Sequence, residues 1–407
     1  MRVLLKNIGH IFTPDLSRDF GSVKHYEDVH LVLEDGKILE VLDGISALPE
    51  VDQVINVRGK SVLPGFVDAH THPVFWQTRE AEFVMRIQSK SYEEIAAAGG
   101  GIRNSVRRFR EANKEDIKRV TRERVRLFAE FGVTTIEAKS GYGLSPQDEI
   151  KALEIIQELN AEEKIDLVPT FLGAHEIPDE YRDDRQGYIR LLIEDMIPEV
   201  AERKLAKYCD VFCEKDVFTV EETRQILLAA KEYGLQARIH ADELFPTGGA
   251  ELAAELGAKT ADHLVQISNA GIRAMAEKGT IAVLLPGTTF FLGKDRYAPA
   301  RKMIDAGCQI AVSTDFNPGS SATQNLQLMW TIAALKMRLL PGELLWATTI
   351  IPARSLDLDH EIGSIEPGKN ADLVILDVPN LEHIAYHYGV NHTLMTLKRG
   401  EVIYKKN

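Results

Sequence analysis

The sequence predicts an α/β chain: a (β/α)8 barrel of the TIM type joined to a small β-sandwich that is built from its own two ends. Three observations predict it. Residues 62–350 alternate strand-like and helix-like segments eight times, residues 1–61 and 351–407 read mainly as β structure, and histidines and an aspartate recur where the predicted barrel strands end. A β/α barrel builds its site from those strand ends.

The N-terminal segment supplies VLLKNI, then VHLVLEDGKILEVL with a hairpin signal at Asp35-Gly36, then QVINVRG. The barrel strands read as SVLPGFVDAHTH, VTTIEAK, DLVPTFLGAH, YCDVFCE, QARIHADE, KTADHL, IAVLLPG and QIAVSTDFN. A helix follows each within a few residues, except that a longer excursion from Pro73 to about Lys114 follows the first. One helix start is explicit, because Thr219 with Glu222 three residues on forms a capping-box pattern ahead of Ile226, Leu227, Ala230 and Tyr233. Apolar strands separated by helices imply a parallel sheet covered on its outside. Eight units suit a closed barrel better than an open doubly wound sheet, and the GxGxxG turn of the latter is missing. The C-terminal segment returns to strands, ADLVILD (371–377) and TLMTLKRGEVIYKK with its turn near Arg399-Gly400. Neither end has enough strands for a core alone, so the two are expected to share one domain.

Composition bounds the function. Of 407 residues, 44% are hydrophobic and 27% charged, and the net charge of −13 argues against a nucleic-acid surface. The basic runs at 103–110 and 118–126 read as solvated helix faces, with a dimer contact as the alternative. The start has no signal-peptide pattern and no stretch approaches 18 apolar residues, so the expectation is a cytoplasmic protein with no membrane association. Three cysteines make no disulfide framework, and Cys209 and Cys213 read as small buried hydrophobes.

The chemistry lies in the histidines. Of twelve, five fall at barrel strand ends: His70, His72, His175, His240 and His263. In His70-x-His72 the side chains at i and i+2 point the same way and can hold one ion together, although alone the pair could be chance. His240 and Asp315 complete a nitrogen-rich set with room for water, suited to zinc, iron, manganese or nickel more than to calcium or magnesium. Asp315, in D-F-N-P-G, could otherwise cap a turn.

The run VLPGFVDAHTHPVF, with HADE, ADHL, STDFN and a terminal GSIEPGKNADLVILD, resembles the metal-dependent amidohydrolase superfamily. Further segments resemble its imidazolonepropionase family, which acts in histidine degradation. They are GGGI (99–102), KSGYGL (139–144), FLGAHEIPDEY (171–181), DVFCE (210–214), HADEL (240–244), LLPGTTFFL (284–292) and STDFNPGS (313–320). The resemblance implies a cytoplasmic, homodimeric hydrolase that opens the ring of the small molecule 4-imidazolone-5-propanoate to N-formimidoyl-L-glutamate. One divalent or trivalent ion per chain, Zn2+ or Fe3+, would sit on His70, His72, His240 and Asp315. Asp315 would also take the proton of the attacking water, His263 would orient water or the developing oxyanion, and Glu243 would carry a proton to the leaving nitrogen and touch the substrate. Arg79 is the candidate for the propionate, with Tyr142, His175, Asn317, Gly319 and Ser320 expected around the substrate. The segment after the HTH motif departs from the family in its bulky Trp76. A second ion near Glu214, a purine or pyrimidine deaminase with the same ligands, and a non-catalytic barrel are the competing readings.

Overall fold

The computed structural model describes residues 1–90, 94 and 100–406; Gly99 of the GGGI motif lies outside them. It contains two eight-stranded sheets. The first takes β1 (Arg2–Pro14), β2 (Val23–Glu34), β3 (Lys37–Asp43), β4 (Gln53–Asn56) and β5 (Ser61–Pro64) from the N-terminal segment. The second is all parallel: β6 (Phe66–Asp68), β7 (Val133–Lys139), β8 (Asp166–Ala174), β9 (Tyr208–Cys213), β10 (Gln236–Ala241), β11 (Thr260–His263), β12 (Ile281–Leu284) and β13 (Ile310–Val312). The chain then returns to the first sheet as β14 (Leu373–Leu376), β15 (Thr393–Lys398) and β16 (Glu401–Lys405).

The terminal sheet is mixed, with β14 antiparallel to β5, and β5 in turn parallel to β1. Its hairpins turn where the sequence places them, at Asp35-Gly36 (φ 49° and 80°) and Arg399-Gly400 (φ 47° and 77°). Consecutive positive φ values give the twist that joins two strands tightly. The inward residues, among them Val3, Leu5, Ile11, Leu31, Ile55, Val62, Leu373 and Leu397, form one apolar cluster drawn from both chain ends.

The segment read as one strand from Ser61 to His72 divides at Gly65. Ser61–Pro64 belongs to the terminal sheet and Phe66–Asp68 opens the barrel. Gly65 donates to the Asp372 carbonyl (2.8 Å), and a Cβ there would lie 2.4 Å from a Thr134 methyl, so only glycine fits this crossing. The barrel closes between its first and last strands through the Thr71–Phe316 bridge, and the Thr314 N–H and hydroxyl both donate to Asp68. Outside, the helices bury a large apolar layer; the Thr219–Glu222 capping box starts the helix Val220–Glu232 as expected.

The basic runs are solvated faces only in part, since Arg107, Arg108 and Arg119 are exposed while other members reach neighbouring elements. Lys118, Arg122 and Arg126 on the helix Lys114–Glu130 pair with Glu158, Glu162 and Glu163 at the neighbouring helix Pro146–Glu162, joining the two side by side. Arg124 turns inward, lies 3.5 Å over the Phe75 ring, and donates to the carbonyls of Pro73, Phe75 and Trp76. Arg110 likewise holds the Gly143 (2.7 Å) and Leu144 (2.8 Å) carbonyls. Both arginines therefore fix loops at the barrel mouth. Cys209, Cys213 and Cys308 are free and buried, and burial pushes the Cys213 thiol up to about 11. Among the described residues no helix is long and apolar enough to cross a membrane.

Candidate metal centre

The strand ends deliver the predicted residues to one point. Just beyond β6, the His70 carbonyl accepts from the Asp315 N–H (3.1 Å) and the His72 N–H donates to the Phe316 carbonyl (2.8 Å). First and last strands are thus locked in the register that brings their side chains together. His70 Nε2 and His72 Nε2 lie 3.3 Å apart, and Asp315 Oδ1 is 3.5 Å from the first and 3.4 Å from the second. His240 and His263 close the other side, with ligand atoms of His70, His240 and His263 all within 4.8 Å of one another. Asp315 and His263 both sit at left-handed backbone angles, φ 54° and 72°. Non-glycine residues are held there at a cost, and such strain gathers at functional sites.

Carboxylates behind the histidines fix which nitrogen faces inward. His70 Nδ1 lies 2.6 Å from Asp262, and His240 Nδ1 lies 3.0 Å from Asp210. With Nδ1–H given to the carboxylate, the Nε2 lone pair is the one presented to the centre. His70 Nε2 pressed against His72 Nε2, both beside Asp315, fits a cation between them. Below lies a charged layer with no solvent exposure: Lys139 bonds Glu137 (2.7 Å) and Asp210 (2.7 Å), and Arg238 donates to the Ala69 carbonyl (2.8 Å). Burial works against the charge of Lys139, and Asp210 and Glu137 outweigh it, so its pKa is raised. Burial also holds His70, His72 and His263 well below the usual imidazole range, which keeps them neutral and able to ligate. His240 departs upward because Asp210 overcomes its burial.

Glu243 stands 3.6 Å from His263 Nε2, and burial together with nearby Asp315 pushes its carboxyl up to about 8. Its loop is tightly fixed. Asp242 accepts the N–H groups of Thr247 and Gly248 at the start of the helix Gly249–Leu256, and Glu214 accepts that of Leu244 (2.8 Å). Glu214 is thereby spent on backbone and joins neither histidine group of the centre. A cleft leads outward from Glu243 and His263 past Phe245, Gln266, Thr289 and Leu292.

His175 stacks on His72 (5.3 Å between centroids) and its Nδ1 is 2.8 Å from the Gly141 carbonyl; buried Tyr142 meets it edge-on at 5.6 Å. Asn317 Oδ1 accepts the N–H groups of Gly319 (2.8 Å) and Ser320 (2.8 Å), while its Nδ2 donates to the Asp315 carbonyl (2.7 Å). Arg79 comes so close that a Cβ on Gly319 would lie 2.4 Å from its Nη1. Its Nε and Nη2, however, already grip Glu82 at 2.9 and 2.5 Å, so the fork expected for a ligand carboxylate is engaged within the protein.

Residues 61–404 match the model of the amidohydrolase family. The chain is 53% identical over 350 residues to an imidazolonepropionase of Geobacillus thermodenitrificans, covering 86% of this chain and 82% of that one. It is 45% identical over 414 residues to the imidazolonepropionase of Alkaliphilus metalliredigens, covering 99% and 98%. The chain belongs to the imidazolonepropionase family of amidohydrolases. Among solved structures, Escherichia coli guanine deaminase superimposes with a TM-score of 0.77 at 17% identity over 100% of both chains, and a 5-methylcytosine deaminase of Klebsiella pneumoniae with 0.76 at 18% over 100% of this chain and 98% of that one. At such identity the likeness concerns the fold alone.

An imidazolonepropionase-type amidohydrolase implies a metal ion, and the residues gathered here can hold one. Sequence reasoning passed over Asp210, Asp262, Lys139 and Glu137. Asp262 lies directly before His263 and Asp210 inside an apolar strand, and a charge at a barrel-facing position of a buried strand was the available signal.

Proposed function

We infer that the chain is an imidazolonepropionase, a hydrolase that adds water across a ring C–N bond of 4-imidazolone-5-propanoate and releases N-formimidoyl-L-glutamate. The carrying observation is that His70 is grouped with His72 and Asp315 on one side and with His240 and His263 on the other, beside a Glu243 whose carboxyl is pushed up to about 8 by burial. Those four residues would hold one ion, Zn2+ or Fe3+, which when bound lowers the pKa of water and polarises the carbonyl. Asp315 takes the proton of the attacking water. His263, neutral and 3.6 Å from Glu243, donates towards the carbonyl oxygen as charge grows there. Glu243 gives its proton to the ring nitrogen as the bond breaks, which requires a carboxyl still protonated near neutral pH.

The remaining residues bind and orient. Tyr142 and His175 face the ring's polar groups, and Asn317, Gly319 and Ser320 border the propionate end. Arg79 meets the propionate through Nη1, the nitrogen beside Gly319, while Glu82 holds the other edge of its guanidinium. We place the enzyme in the cytoplasm as a homodimer acting on this small molecule without nucleic acid or membrane. Incubation with 4-imidazolone-5-propanoate while following its ultraviolet absorbance tests the reading. The expected result is steady loss of the absorbance that a chelator abolishes; an unchanged substrate alongside ammonia release from guanine or cytosine would overturn it.

A further inference from the structure

A second group of histidines lies away from the barrel mouth. His383 sits in the short helix Glu382–Tyr386 and His387 caps its end, with the His387 N–H donating to the His383 carbonyl at 2.9 Å. That i to i+4 turn puts both rings on one side. His392, directly before β15, completes a triangle whose ring centroids are 5.2, 5.4 and 5.2 Å apart, and one nitrogen from each ring lies within 4.8 Å of the others. We propose that His383, His387 and His392 form a second, structural metal site for a divalent transition ion of the zinc, nickel or copper type.

The backbone that carries the rings is already fixed. The His392 N–H donates to Gln327 Oε1 (3.0 Å) on the helix Leu326–Ile332, and the Thr331 hydroxyl of that helix donates to the Ala385 carbonyl (3.0 Å). His392 is buried, and its Nε2 lies 3.1 Å from the His387 carbonyl, which holds the ring in place. Metal–nitrogen bonds of about 2.0–2.1 Å in a tetrahedral site set the nitrogens roughly 3.4 Å apart, so small rotations of the two less buried rings suffice. Three imidazoles select a borderline-soft ion over calcium or magnesium. The neighbouring Asn391 donates to the Glu130 carbonyl (2.7 Å), just before β7 begins, which places the group at the N-terminal pole of the barrel, opposite the catalytic mouth. An ion there would join the short helix Glu382–Tyr386 to the start of β15 without touching the reacting atoms.

Equilibrium dialysis of the full chain, catalytic metal retained, against micromolar free zinc tests this, with metal counted per chain. The H383Q–H387Q variant is expected to hold one ion fewer than the unmodified chain, to lose the zinc-dependent rise in Tm, and to keep its turnover. Equal counts overturn the proposal, as does loss of that ion from an H10Q–H25Q variant instead, since His10, His25 and Glu27 form a separate surface group. Should circular dichroism show the double variant unfolded, the same count on H387Q decides, because that side chain is exposed and the outcome is again one ion lost or none.

Discussion

The two sheets have the same number of strands and opposite interiors. The inner cluster of the terminal sheet is aliphatic, from Val3 and Leu31 to Leu397, whereas the inside of the barrel carries Glu137, Lys139, Asp210, Arg238 and Asp262 with no exposure at all. Aliphatic burial stabilises by removing surface from water; buried charge costs desolvation and does no better than break even. A barrel that keeps five buried charges beneath its mouth is organised around the ion-binding residues above them. The terminal sheet is organised around its own packing.

Substitutions can break that division of labour or sharpen it. The largest effect is expected from Glu243→Gln, which should lower kcat by roughly 10²- to 10⁴-fold in the ultraviolet assay with Tm unchanged. In the unmodified enzyme kcat should fall as pH rises past about 8, where Glu243 loses the proton it donates, and the variant should lack that limb. Lys139→Met comes next. It leaves Glu137 and Asp210 buried without their cation and should destabilise by roughly 3–5 kcal/mol in urea titrations, with activity falling too. Leu31→Ala in the terminal sheet should cost about 2–5 kcal/mol by the same measurement and leave kcat alone; a large loss of kcat would erase the distinction between the sheets. Smallest is Asp262→Asn, which keeps shape but weakens the hold on the His70 Nδ1–H, so metal affinity measured against a competing chelator should fall by roughly 10- to 100-fold.

What the sequence revealed divides along similar lines. His70-x-His72, His240, His263 and Asp315 were legible because strand alternation and strand-end position are local properties. Their partners were not. Asp262 meets His70 across 192 residues, so although a charge within a buried strand marks its position, nothing local names its partner. Arg110 and Arg124 were hidden by company: within runs of exposed base they look solvated, yet each reaches inward to backbone carbonyls, a contact that no pattern of charges reveals. Arg79 was found, but its grip on Glu82 was not, since an i, i+3 acid in a helix start is ordinarily a surface pair. The division at Gly65 was invisible because apolar residues continue on both sides of it, and only the crowding by Thr134 shows that two sheets meet there.

That glycine limits how the protein can be taken apart. Four residues separate it from His70, and the strand before it pairs with both β1 and β14, which come from opposite ends of the chain. The barrel is therefore no portable cassette. A truncation that trims either terminus would unseat the strand that leads into the metal ligands, and a fusion or permutation of this scaffold has to keep both ends in hand to keep its chemistry.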